Sequence, residues 1–96
     1  METFFVPYTG KKPAHVCING HRLVILAQEK DTLEEDLDLL GADRVKKVKF
    51  DGSDAEQERL MGEIARKVSG GVVLAPAGVD LRDMFKNLES ELPWFQ

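Results

Sequence analysis

Hydrophobic and polar positions divide the chain into short strand-like blocks and longer stretches of helical spacing. Residues 3–8 (TFFVPY) are rich in aromatic and β-branched side chains and predict a strand. Pro7 has no N–H to give a ladder, which places this strand at a sheet edge or ends it early. Residues 9–13 (TGKKP) predict a loop. Next, 14–18 and 21–27 flank Asn19-Gly20, a pair that tolerates the positive φ angles of a two-residue type I′ turn. A hairpin through that turn sets Ile18 opposite His21, Cys17 opposite Arg22 and Val16 opposite Leu23. Ala14, Val16, Ile18, Leu23 and Ile25 then share one face; His15, Cys17, Arg22, Val24 and Leu26 share the other. Because 23–27 (LVILA) is apolar on both faces, it predicts a central strand.

Helical spacing follows. A helix is predicted over 32–40, capped by Asp31, with Leu33, Leu37 and Leu40 on one face and Gly41 as its terminator. Residues 44–50 (RVKKVKF) predict a strand whose three lysines suit a protected edge. Ser53-Asp54-Ala55-Glu56 is a capping-box sequence, and it opens a second helix with the stripe Leu60, Met61, Ile64, Ala65 and Val68. Gly70-Gly71 closes that helix. Residues 72–75 (VVLA) have no polar position and predict a strand buried on both faces. A last helix over 81–92 carries Leu81, Met84, Phe85, Leu88 and Leu92 at helical spacing, and Pro93 stops it.

The succession is β-β-β-α-β-α-β-α, which predicts a single α/β domain spanning 1–96. Its five-stranded mixed sheet joins an N-terminal antiparallel meander to a parallel βαβαβ-type half, with three helices. Numbering the strands along the chain, the order 1-2-3-5-4 puts the apolar fifth strand inside and the lysine-rich fourth at an edge. It also sends the first two crossover helices to opposite faces, so both sides of the apolar strands are covered. The sequential order 1-2-3-4-5, with helices on one face, leaves them half covered.

Composition narrows the class. Ninety-six residues hold one core, and 43% hydrophobic with 31% charged residues is the mixture of an ordinary soluble globular protein. A net charge of −4 and a pI near 5.1 argue against a nucleic-acid partner, which needs a positive field to displace phosphate counterions. The single cysteine, Cys17, excludes an internal disulfide and a Cys-rich zinc framework. Apolar runs are too short to span a bilayer, and the start METFFVPYTG lacks a basic leader, so neither a membrane nor secretion is expected. The expected location is the cytoplasm.

Ligands of open α/β sheets bind beyond the carboxyl ends of the strands, where the winding reverses. In the order 1-2-3-5-4 that crevice lies between the strands ending at Ala27 and Ala75. Its candidate ligand-binding residues are Glu29, Asp31, Asp51, Ser53, Ala77 and Gly78. A phosphate is disfavoured there: Pro76 supplies no N–H, and Asp80 is placed to take the free donors of the following helix. A divalent cation competes with the capping roles open to Asp31 and Asp54. Cys17 shares a face with His15 and Arg22, yet a hairpin tip offers no cleft, so it reads as a small packing residue. The join Gly41-Ala42-Asp43-Arg44-Val45 is shared by many α/β proteins and is no signature.

The tail carries Trp94 and Phe95. Two large aromatics beyond the last helix either fold back on the body or serve as an interface anchor. No catalytic constellation, metal or cofactor is expected. The first functional reading is a non-catalytic binding or regulatory module that contacts another protein or itself through Trp94 and Phe95. The alternative is a small-molecule binder, for a nucleotide or an acidic metabolite, or a small enzyme, using the strand-end crevice.

Overall fold

The computed structural model describes residues 1–95. Its strands are β1 (Glu2–Thr9), β2 (Lys12–Pro13), β3 (Val16–Ile18), β4 (His21–Ala27), β5 (Arg44–Phe50) and β6 (Gly71–Ala75). Its helices are α1 (Lys30–Glu34), α2 (Leu37–Leu40), α3 (Asp54–Val68) and α4 (Leu81–Glu91). The α/β class, the mixed sheet and the helices on both faces agree with the pattern of the sequence. The expected five strands and three helices become six and four.

The strand order differs from both sequence-based orders. Four longer strands run β5-β1-β4-β6, with β1 antiparallel to both neighbours and β6 parallel to β4. The lysine-rich strand is at an edge as expected, but beside β1 rather than beside β6. The reason is length: β1 and β5 match over seven residue pairs, from Glu2↔Phe50 to Tyr8↔Arg44. The five-residue β6 offers a shorter ladder and takes the opposite edge.

Pro7 is therefore central, contrary to expectation. Within a strand, the N and O of one residue point to the same side, and Pro7 O accepts from Ala14 N at 2.8 Å. The missing N–H consequently falls away from β5. On that side β1 and β4 diverge: they pair only at Phe5↔Ala27, then β2 continues along β1 and β3 along β4. A proline costs no ladder bond in such a fork. The segment first expected to be a loop thus supplies β2.

The hairpin register is the predicted one, Val16↔Leu23, Cys17↔Arg22 and Ile18↔His21. Asn19 and Gly20 have φ of 51° and 82°, as a type I′ turn requires. From it β4 enters the core with Leu23, Ile25 and Ala27 toward one face and Val24 and Leu26 toward the other. Full burial of each large aliphatic side chain stabilises by about 1.5–3 kcal/mol.

Two crossovers cover these faces. The chain leaves β4, passes over β1 through α1 and α2, and enters β5; Leu33 and Leu40 join Ile25 on this face. It returns from β5 to β6 through α3 on the other face, where Ile64 and Val68 join Phe4, Val24 and Leu26. Opposite travel on opposite faces gives both crossovers one hand, as parallel strands require. Leu81 and Met84 of α4 pack on the α1–α2 face.

The helix expected over 32–40 is broken. Glu35 and Asp36 separate α1 from α2, and Asp36 leaves helical geometry with φ of −133°. Asp31 and Glu35 remain one turn apart, Glu35 N donating to Asp31 O at 3.1 Å, and an unbroken helix would add a second like-charged pair, Glu34 with Asp38. Asp31 lies inside the first turn of α1, whose cap is Glu29, so the expected Asp31 cap is not formed.

Helix α3 opens on half a capping box. Ser53 Oγ accepts from Glu56 N at 3.2 Å, but Ser53 N donates to Asp51 Oδ1 at 2.8 Å instead of to Glu56. The Glu56 carboxylate is engaged by Arg59. At the far end Ser69, not a glycine, takes the left-handed cap with φ of 52°. Gly70 serves a different purpose: a Cβ there would overlap the backbone carbonyl of Arg22 on β4.

Candidate functional site

The strand-end crevice does not open between β4 and β6. Both strands send their outgoing chain to the same face, because α1, α2 and α4 all pack on the side of Ile25 and Ala27. Winding instead diverges across β1, between β4 and β5. The cavity found there, beside Glu2, Gln28 and Gln57, measures only about 20 Å³.

The proposed ligand residues are correspondingly dispersed. Glu29, the N-cap of α1, and Asp31, in its first turn, are exposed. Asp51 Oδ1 accepts from Ser53 N and, at 2.7 Å, from Ser53 Oγ, and these bonds hold its carboxyl below the ordinary 3.8. Ala77 and Gly78 form an exposed turn, with Gly78 at φ of 75°. None of the five main cavities is lined by any of these six residues. Asp80 caps α4 as expected, accepting from Arg82 N at 2.8 Å and Asp83 N at 3.3 Å. Among the described residues, no group of three or more His, Cys, Asp or Glu side chains could hold a metal.

The larger concavities lie at the opposite end of the sheet. One of about 430 Å³ includes Lys12, His15, Arg22 and Lys67, and one of about 650 Å³ includes His21, Gly70, Gly71 and Phe95. They share Arg22 and Ser69. Two of the cations, Arg22 and Lys67, already have a role, because α3 ends here with its negative pole. Arg22 Nη1 points at Val68 O, 3.5 Å away, and Arg66 and Lys67 occupy the last turn. Cys17 is exposed on β3, with Arg22 across the ladder.

Beside the second concavity the hairpin tip fastens the tail. Asn19 Nδ2 donates to Glu89 O at 2.9 Å and to Leu92 O at 2.8 Å, closing the carbonyl end of α4 from a distant turn. Asn19 O accepts from Phe95 N at 2.9 Å. His21 Nε2 lies 2.7 Å from Pro93 O, and a carbonyl can only accept, so Nε2 carries the proton. The Phe95 ring meets His21 edge-on at 5.7 Å. Gly20 leaves room for this crossing, since a Cβ there would sit 3.1 Å from Phe95 Cβ.

The backbone is pinned, yet the side chains are not covered. Trp94 is 72% and Phe95 69% exposed. Folding back and exposure, opposed in the sequence reading, are both realised: the first by the main chain, the second by the rings. The anchoring roles of Asn19 and His21 carried no local signal, because the turn alone accounts for an Asn-Gly pair.

Fold and surface together define a mixed-sheet α/β protein with a pinned aromatic tail. Comparison with protein-family models, with curated proteins and with solved structures finds no match. The helices of the described residues include none long and apolar enough to cross a membrane.

Proposed function

We propose that this chain is a cytosolic, non-catalytic binding module that contacts another protein through Trp94 and Phe95. The observation that carries the reading is the contrast between a tail backbone held at Asn19 and His21 and two aromatic rings left in solvent. A frayed tail pays ordering entropy on binding, whereas a pinned one presents its rings already placed. Aromatic side chains supply the dominant energy of many protein interfaces. An exposed, unpaired Cys17 is at home in a reducing compartment.

The test separates contact from structure. The Trp94→Ala/Phe95→Ala double variant should unfold within about 1 kcal/mol of the parent, as surface changes do. Trp94 is the only tryptophan, so its emission in dilute protein should be that of a hydrated indole. A loss of several kcal/mol in the variant, or a buried-indole emission from the dilute monomer, overturns the reading.

A further inference from the structure

We infer that the partner is a second copy of this chain, paired antiparallel along the outer edge of β6. The inference rests on the protein-contact reading above and names its occupant. Strand β6 is hydrogen-bonded to β4 on one side only, and no other backbone hydrogen bond of the described residues reaches it. Its side chains are spent on the core: Val72 and Leu74 pack on the α3 face and Val73 on the other. What remains on the outer side is a row of main-chain donors and acceptors, the template for another strand.

Nothing guards that row. Residues 70–79 (GGVVLAPAGV) contain no charge, and Pro76 comes only after the strand has ended. Two copies, each of net charge −4, can approach there without placing like charges face to face. The flanks select the direction. Arg66 and Lys67 close α3 just before β6, while Asp80 and Asp83, with Arg82 between them, open α4 just after it. Antiparallel pairing brings the cationic end of each copy level along the strand with the acidic end of the other, across the thickness of the sheet because α3 and α4 cover opposite faces. Parallel pairing would superpose like ends.

Symmetry favours the same occupant. A two-fold axis at Val73, the middle residue of the strand, sets Gly71 against Ala75 and Gly70 against Pro76 of the second copy. The uncharged loop after β6 then comes level with the concavity that Phe95 and His21 border, which ties the aromatic tail to the strand edge. The joined sheet runs β5-β1-β4-β6 and back through the second copy. Its two outer edges are the lysine-bearing β5, so addition stops at the dimer.

Sedimentation equilibrium across about 1 μM to 1 mM tests the pairing. The mass should rise from 10.8 kDa toward twice that value, and the outward amides of β6 should exchange more slowly in concentrated protein. Val73→Lys places two lysines across the axis and should weaken the dimer by tenfold or more, about 1.4 kcal/mol. Because Val73 also touches the core, Ala77→Lys, at an exposed position facing the other copy's cationic flank, is the second variant. It should weaken the dimer while leaving the melting curve of the dilute monomer unchanged. A monomer at every concentration overturns the pairing and leaves Trp94 and Phe95 to a different protein. A dimer weakened by Trp94→Ala/Phe95→Ala but untouched by Val73→Lys and Ala77→Lys also overturns it, while the tail reading survives.

Discussion

The two edges of the sheet are built on opposite plans. On β5, Lys46, Lys47 and Lys49 stand exposed, with Lys46 Nζ 4.3 Å from the centre of the Tyr8 ring. Val45, Val48 and Phe50 of the same strand reach the core. Four of the seven positions of β5 are charged, Arg44 and the three lysines, and another strand approaching this edge meets a line of cations. On β6 all five residues are uncharged and the side chains serve only the two faces. A small protein can leave an edge unguarded only where something covers it or where pairing is its purpose. On the pairing proposed above, the β5 side keeps strands apart and the β6 side is the one that associates.

The largest expected effect concerns how β6 is attached. Gly70→Ala drives a Cβ into the Arg22 carbonyl, a backbone atom that cannot yield without moving β4. Overpacking of this kind costs about 1–3 kcal/mol, and the start of β6 should shift outward. Chemical denaturation measures the loss. If the variant unfolds at the parent midpoint, the close contact between 70 and 22 is not a constraint, and the β6 edge is softer than described.

A second change attacks the other edge. Replacing Lys46, Lys47 and Lys49 by threonine keeps β-propensity and removes three of the four charges on β5, leaving only Arg44 at its start, where it pairs with Asp43. Each copy then has two open edges instead of one. Light scattering should show growth beyond the dimer at concentrations where the parent is clear. Continued clarity would mean that lysines are not what separates the two edges, and the explanation for a closed dimer would fail with it.

How far the sequence revealed this arrangement depends on the range of each signal. The hairpin register was legible because Asn19-Gly20 fixes it within two residues, and Asp80 and Ser53 were legible as caps for the same reason. The lysines marked β5 as an edge without showing which neighbour it had. That neighbour was hidden because β1 meets β5 some forty residues later, and Pro7 argued locally against a central strand. Only the fork made by β2 and β3 removes the conflict. The placing of the strand-end crevice turns on a related point. Once β5 moves beyond β1, the chain leaves β4 and β6 on one face and the gap between them closes. The tail anchors at Asn19 and His21 join positions more than seventy residues apart, beyond any local pattern.

The smallest effect belongs to the turn that leads from β5 into α3. Hydrogen bonds from Ser53 lower the Asp51 pKa from its ordinary 3.8, and hydrogen bonding to Arg59 lowers that of Glu56 from 4.5. A carboxyl whose pKa is lower folded than unfolded binds fewer protons in the folded state. Its stabilisation is therefore present above the unfolded value and fades as pH falls through the folded one. Asp51 is exposed and Glu56 half-buried at the surface, so the slope is shallow, and it is confined to about pH 5 and below. Denaturant midpoints taken through that range should fall less for Asp51→Asn/Glu56→Gln than for the parent. The β6 side of the comparison supplies the control: Val73→Lys and Ala77→Lys should retain the parent slope of the unfolding midpoint, because neither touches Asp51 or Glu56. If the double variant instead follows the parent through acid, the β5 exit is held by the Ser53 cap alone. The charged plan of that side then ends at its three lysines.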